Sequence, residues 1–214
     1  MFLPKFNSYF IHIPKCGGTS IELFFFKQHG YDLKPDNIYG QLGHKNGPQF
    51  HYGNRTPERL PTGETQHLSA NLLKKWNNPE FVNSKYTFAF VRNPYDRFIS
   101  EINWRKNILR NRGFDENKYL SLLEHCKHGN IFNPHNMAMH HFVYEGDNLL
   151  VDDVFKLEEI DKAEKKLSEV FNIDVKFGHY NKTGKGSYRD VISQDVLTRL
   201  KPLIQRDLEL FGYE

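Results

Sequence analysis

The chain has 214 residues, with 29 Lys and Arg against 26 Asp and Glu and a formal charge of +3 at neutral pH. So mild a basic balance, with no lysine/arginine block, argues against nucleic acid as a partner and suits small anionic ligands. The length allows one sizeable core and a single domain over residues 1–214, eighteen phenylalanines can fill much of that core, and two cysteines exclude a disulfide framework.

The first element is FIHIPKCGGTS, residues 10–20. An apolar run from Tyr9 to Ile13 reads as a strand that breaks at Pro14. Lys15, Cys16, Gly17 and Gly18 make a turn, and an amphipathic helix follows from Gly18 to His29 with Gly30 as its C-terminal cap. Glycines that bare backbone N–H groups, a helix N-terminus and a lysine together attract anions. On this segment alone, an ordinary βα loop needing glycine for its geometry is the competing reading. Lys15 precedes the glycines, the reverse of the G-x-x-x-x-G-K-[ST] order of nucleoside triphosphatases.

Residues 31–65 are rich in Gly, Pro, Asn and Asp and read as a long ordered loop, which in a compact domain usually serves function. Residues 66–80 are helical in pattern. A strand covers Tyr86 to Arg92; Asn93 then suits a helix N-cap, Pro94 the first helical position and Asp96 the first turn. Arg92 therefore ends a strand, at the edge where open α/β sheets bind ligands, and Ser100 lies two turns into the next helix. Arg97 and Glu101 have the spacing of a surface ion pair. Phe98 to Ile108, Tyr119 to His125 and Asn136 to Tyr144 are further helical candidates, and Val151 to Lys156 reads as a strand. Leu157, Ile160, Ala163, Leu167, Val170 and Phe171 share one helical face. From Ser193 to Phe211 the pattern is helical again, with Pro202 kinking it or starting a second helix. No repeat, signal peptide or transmembrane segment is visible. The groups His125/His128 and His135/His140/His141 lack metal-site spacing such as H-E-x-x-H, so no metal is expected.

The order P-K-x-G-G-T-S at residues 14–20 resembles the 5′-phosphosulfate loop of sulfotransferases that use 3′-phosphoadenosine 5′-phosphosulfate (PAPS). Within them it is most similar to the carbohydrate, Golgi-type branch. The string R-N-P-Y-D-R-F-I-S at residues 92–100 resembles their 3′-phosphate signature, which falls on Arg92 and Ser100, with Arg97 a weaker candidate beside its surface-pair reading. PAPS carries both phosphates on one ribose, and an arginine fork suits the terminal one.

The resemblance implies a three-layer α/β fold with a mostly parallel central sheet and a P-loop-like 5′-phosphosulfate loop. It assigns Lys15, Cys16, Gly17, Gly18, Thr19 and Ser20 to the phosphosulfate, with Lys15 also steadying the departing group. His67, in T-Q-H-L-S-A, becomes the base for the acceptor hydroxyl, against the alternative of a capping or surface histidine. Lys182, Thr183 and Lys185 fall in a lid over the nucleotide, Asn133 to Asn136 in the acceptor site, and Asp207 to Tyr213 in the usual C-terminal ending. PAPS is then the donor and 3′,5′-phosphoadenosine (PAP) the product. The expected acceptor is a hydroxyl of a carbohydrate; a small-molecule alcohol, a protein tyrosine and a non-catalytic PAPS- or PAP-binding role are the alternatives. With no N-terminal anchor in view, the implied location is cytoplasmic.

Overall fold

The computed structural model describes residues 1–32, 65–107, 113–130, 133–178 and 188–214. Its central sheet contains β1 (Phe2–Leu3), β2 (Ser8–Ile11), β3 (Tyr86–Val91) and β6 (Asp153–Lys156) in the order β1-β2-β3-β6. β2 and β3 are parallel, as are β3 and β6, while β1 runs antiparallel to β2 along one edge. β4 (Tyr144–Glu145) and β5 (Asn148–Leu149) form a separate antiparallel hairpin.

β3 is apolar along nearly all its length because it is central and covered on both faces. On one face Phe10 stacks on Phe88 at 5.3 Å, and Phe88 meets Phe25 of α1 (Gly18–Gln28) at 5.9 Å. Phe171 of the later helix Ile160–Phe171 closes the same group, 6.0 Å from Phe88. On the other face Tyr9 packs edge-on against Phe81 at 5.4 Å. The β3–β6 pairing is fastened by Asp152, whose carboxylate accepts from the Thr87 N–H at 2.7 Å and hydroxyl at 2.8 Å.

The helical pattern of residues 66–80 resolves into three pieces: a 3-10 turn Thr65–His67, α2 (Ala70–Lys75) and α3 (Pro79–Val82). Two caps cause the breaks. Ser69 accepts from Leu72 N–H at 3.3 Å to start α2, and Asn78 accepts from Phe81 N–H at 2.9 Å to start α3. After β3, α4 (Pro94–Asn107) begins as its sequence suggests, with Asn93 Oδ1 accepting from Tyr95 N–H at 3.0 Å. α5 (Glu116–His125) follows. The expected helix from Asn136 to Tyr144 is only a 3-10 turn, Pro134–Asn136, an extended Met137 and the single turn α6 (His140–Val143).

α7 (Ile160–Phe171) places its apolar face on the sheet, α8 (Tyr188–Val191) is one turn, and α9 (Gln194–Phe211) is continuous. Pro202 lies within α9 on its exposed side and does not start a second helix. α9 builds a second apolar cluster, in which Val196, Leu200, Ile204 and Leu208 join Phe98 and Ile102 of α4 and Tyr119 and Leu123 of α5. Among the described residues no helix is long and apolar enough to cross a membrane. The loop expected over residues 31–65 falls mostly outside the described residues, as do Lys182, Thr183 and Lys185.

Candidate active site

Because β2 and β3 are parallel, the turn after β2 and the start of α4 share one edge of the sheet. The turn bends sharply, with left-handed backbone at Lys15 (φ 68°) and Gly17 (φ 81°). Glycine is demanded twice. A Cβ on Gly17 would come within 2.7 Å of Leu157, and one on Gly18 would lie 1.9 Å from His12 Nε2. The turn thus packs against β2's own extension on one side and the 3-10 turn Leu157–Glu159 on the other. α1 starts at Gly18, so its N-terminus and the partial positive charge there face the turn.

Thr19 and Ser20 are partly exposed at this helix start. Cys16 points inward, its thiol donating to Pro14 O and lying 3.6 Å from Met139 Sδ. Burial pushes that thiol up to about 12, so it is inert and would contribute to anion binding only through its backbone. Lys15 is partly buried; desolvation lowers it to about 8, opposed by Glu101 and reinforced by Arg92. Its ammonium sits 5.0 Å from the centre of the Trp104 ring. Arg92, one residue beyond β3, is close enough to act electrostatically on both Lys15 and Cys16. Ser100 is buried on α4.

Arg97 is not the partner of Glu101. It is 5% exposed, and its Nε donates to Pro14 O at 2.9 Å while Nη1 donates to Met137 O at 2.9 Å. It ties the turn to α4 and to the segment before α6. That segment is also held from α9, where buried Asp207 accepts from the N–H groups of Met139 (2.8 Å) and His140 (2.9 Å) and from His140 Nδ1 (2.7 Å).

Behind the turn lies a buried polar cluster. Glu22 of α1 bonds His12 Nδ1 at 2.7 Å and Gln66 Nε2 at 3.0 Å. The next residue, His67, donates through Nδ1 to His12 O at 2.9 Å. A carbonyl only accepts, so the His67 proton is on Nδ1 and Nε2 carries the lone pair. Burial, with His12 and His135 nearby, holds His67 well below its ordinary value of 6.5 and therefore neutral at pH 7.

His67 touches His135 edge to face at 5.1 Å, and His135 stacks on Trp104 at 4.7 Å. His135 Nδ1 donates to Glu101 Oε2 at 2.8 Å; Glu101 Oε1 accepts from Arg105 Nε at 2.7 Å; Arg105 Nη2 donates to Asn136 at 2.8 Å. Burial alone would raise the Glu101 carboxyl, but His135 and Arg105 more than offset it and keep it ionised. The expected acceptor segment thus divides. His135 joins the ring cluster with Lys15, His67 and Trp104, whereas buried Asn136 supports Arg105. Among the described residues no group of three or more His, Cys, Asp or Glu could hold a metal ion.

The arrangement is a glycine-containing turn at a helix N-terminus, with Lys15, a neighbouring arginine and a neutral imidazole whose Nε2 can accept a proton. It suits transfer of an anionic group to a hydroxyl. The chain matches the Sulfotransferase family over residues 1–214 and belongs to it. It is accordingly a PAPS-dependent sulfotransferase, with PAPS as donor and PAP as product. No curated protein and no solved structure matches the chain.

Proposed function

We propose that the enzyme sulfates a hydroxyl of a carbohydrate, with His67 as the base. In the transfer the acceptor oxygen forms a bond to sulfur while the bond from sulfur to the bridging oxygen breaks. The bond pair remains on the 5′-phosphate of PAP, and the acceptor's proton passes to His67 Nε2. Gly17, Gly18, Thr19 and Ser20 would hold the 5′-phosphosulfate, Arg92 and Ser100 the 3′-phosphate. Lys15 would offset the charge that develops on the bridging and sulfonate oxygens. Lys182, Thr183 and Lys185 complete the proposed nucleotide contacts as parts of a lid.

The observation that carries this reading is the His67 Nδ1 hydrogen bond to His12 O, which fixes a tautomer whose Nε2 is ready to accept a proton. His12 lies just past the end of β2 and leads into the turn, so base and turn share one support. The carbohydrate assignment is supported by the P-K-C-G-G-T-S turn and by the aromatic and imidazole rings beside Lys15. His67→Ala should lower kcat by roughly 10²–10⁴ while leaving PAP affinity within about twofold. A kcat unchanged in that variant would remove His67 from the role.

A further inference from the structure

His67 and His135 are both pinned through Nδ1, one to a backbone carbonyl and the other to a carboxylate. Neither Nε2 has a protein partner among the described residues, so two hydrogen-bond acceptors stand on rings in edge-to-face contact. His135 has more restraints than a core-filling histidine needs. Glu101 fixes its tautomer, Trp104 lies flat on its ring at 13°, and Arg105 holds Glu101 in turn. Its side chain nevertheless remains 24% exposed, while Glu101 is fully buried. A rigid acceptor backed by a buried charge and partly open to solvent is built to meet a ligand donor.

We infer that His135, positioned by Glu101, is a specificity-determining residue for the acceptor: its Nε2 accepts a hydrogen bond from the hydroxyl adjacent to the one that His67 deprotonates, so the enzyme selects a vicinal diol. This rests on the function proposed above and sharpens it. Vicinal hydroxyls of a sugar ring lie about a hydrogen bond's length apart, and the two imidazoles adjoin with ring centroids 5.1 Å apart. Only the hydroxyl at His67 loses its proton as its oxygen bonds sulfur; the one at His135 keeps its own. A lone phenol or alcohol satisfies one imidazole and leaves the other unpaired, which costs discrimination. Glu101 acts through His135 and touches no substrate.

The test uses sulfur-labelled PAPS with cyclohexane-1,2-diol against cyclohexanol, a methyl glycoside against its monodeoxy analogues, and tyramine. The wild-type enzyme should favour each diol over its partner lacking one hydroxyl by about tenfold or more in kcat/KM. His135→Phe, which keeps the stacking, should bring that ratio close to one with PAP affinity unchanged, and His135→Gln should keep part of it. A wild-type ratio near one, preference for tyramine, or a His135→Phe enzyme that keeps the ratio would each overturn the inference while leaving sulfation intact. Transfer to none of the probes would count against the proposed function and this inference together. The wild-type ratio needs no variant, so a His135→Phe chain that fails to fold does not blunt the test.

Discussion

Arg97 Nε donates to Pro14 O at 2.9 Å, and the same guanidinium reaches Met137 O, so one buried side chain fastens the turn after β2 to two other parts of the fold. Arg97→Ala strands both carbonyls and should cost about 2–4 kcal/mol of stability. Arg97→Lys should recover little, because a point ammonium cannot serve two carbonyls in the fork's geometry. Urea unfolding reads the first effect. PAP titration should also show weaker binding in Arg97→Lys, since the turn loses its anchor.

The two glycines of the turn should respond unequally to alanine. At Gly18 the new Cβ would overlap buried His12, which is itself bonded to Glu22 and cannot retreat cheaply. At Gly17 the clash is with the end of the Leu157 side chain, with left-handed backbone strain added. Gly18→Ala should therefore destabilise by at least about 3 kcal/mol and Gly17→Ala by about 1–2 kcal/mol. Thermal unfolding of the two variants side by side checks the order.

Lys15, lowered to about 8, is mostly charged at pH 7 and loses its charge just above. Since kcat/KM reports the free enzyme, its profile should fall on the alkaline side near pH 8. Lys15→Arg, though less active, should lose this limb because a guanidinium stays protonated. A profile flat to pH 10 in the wild type would mean that the Lys15 charge is not used.

His67 and His135 both lie below their ordinary value because burial disfavours their charged forms. On lowering the pH through 6.5, histidines of the unfolded chain take protons before these two do. The folded state then binds fewer protons, so stability is greatest above that pH and declines below it. With His67 as the proposed base, held well below 6.5 by burial, kcat should hold to a more acidic pH than an exposed histidine would allow. Urea midpoints and kcat between pH 5 and 7.5 separate the two effects.

Much of this was legible in the sequence because local rules and tertiary structure agree there. The Tyr9 strand, the Gly18 helix start, the Asn93-Pro94 cap and the β3 run each carry their own signal. The four-residue spacing of Arg97 to Glu101 satisfies the surface-pair rule as well as any other role, and only its burial against Pro14 decides the matter. The Glu101–His135 and His12–Glu22–Gln66 clusters join residues distant in the chain, which no local pattern reveals. Likewise Asp207 caps α6 from α9, so the short stretch before α6 has an external partner in place of helical bonds. Trp104 had no motif to mark it; its position one turn after Ser100 was the available clue.

The most direct measurement is transfer from sulfur-labelled PAPS to a mixed glycan panel by wild-type, Lys15→Ala and His67→Ala enzymes, with PAP and ATP titrated by calorimetry. The expected result is labelled glycan from the wild type, loss of roughly 10²-fold or more in each variant, and PAP bound far more tightly than ATP. PAP binding without transfer to any acceptor would contradict the catalytic account, and tighter binding of ATP than of PAP would contradict the donor site itself.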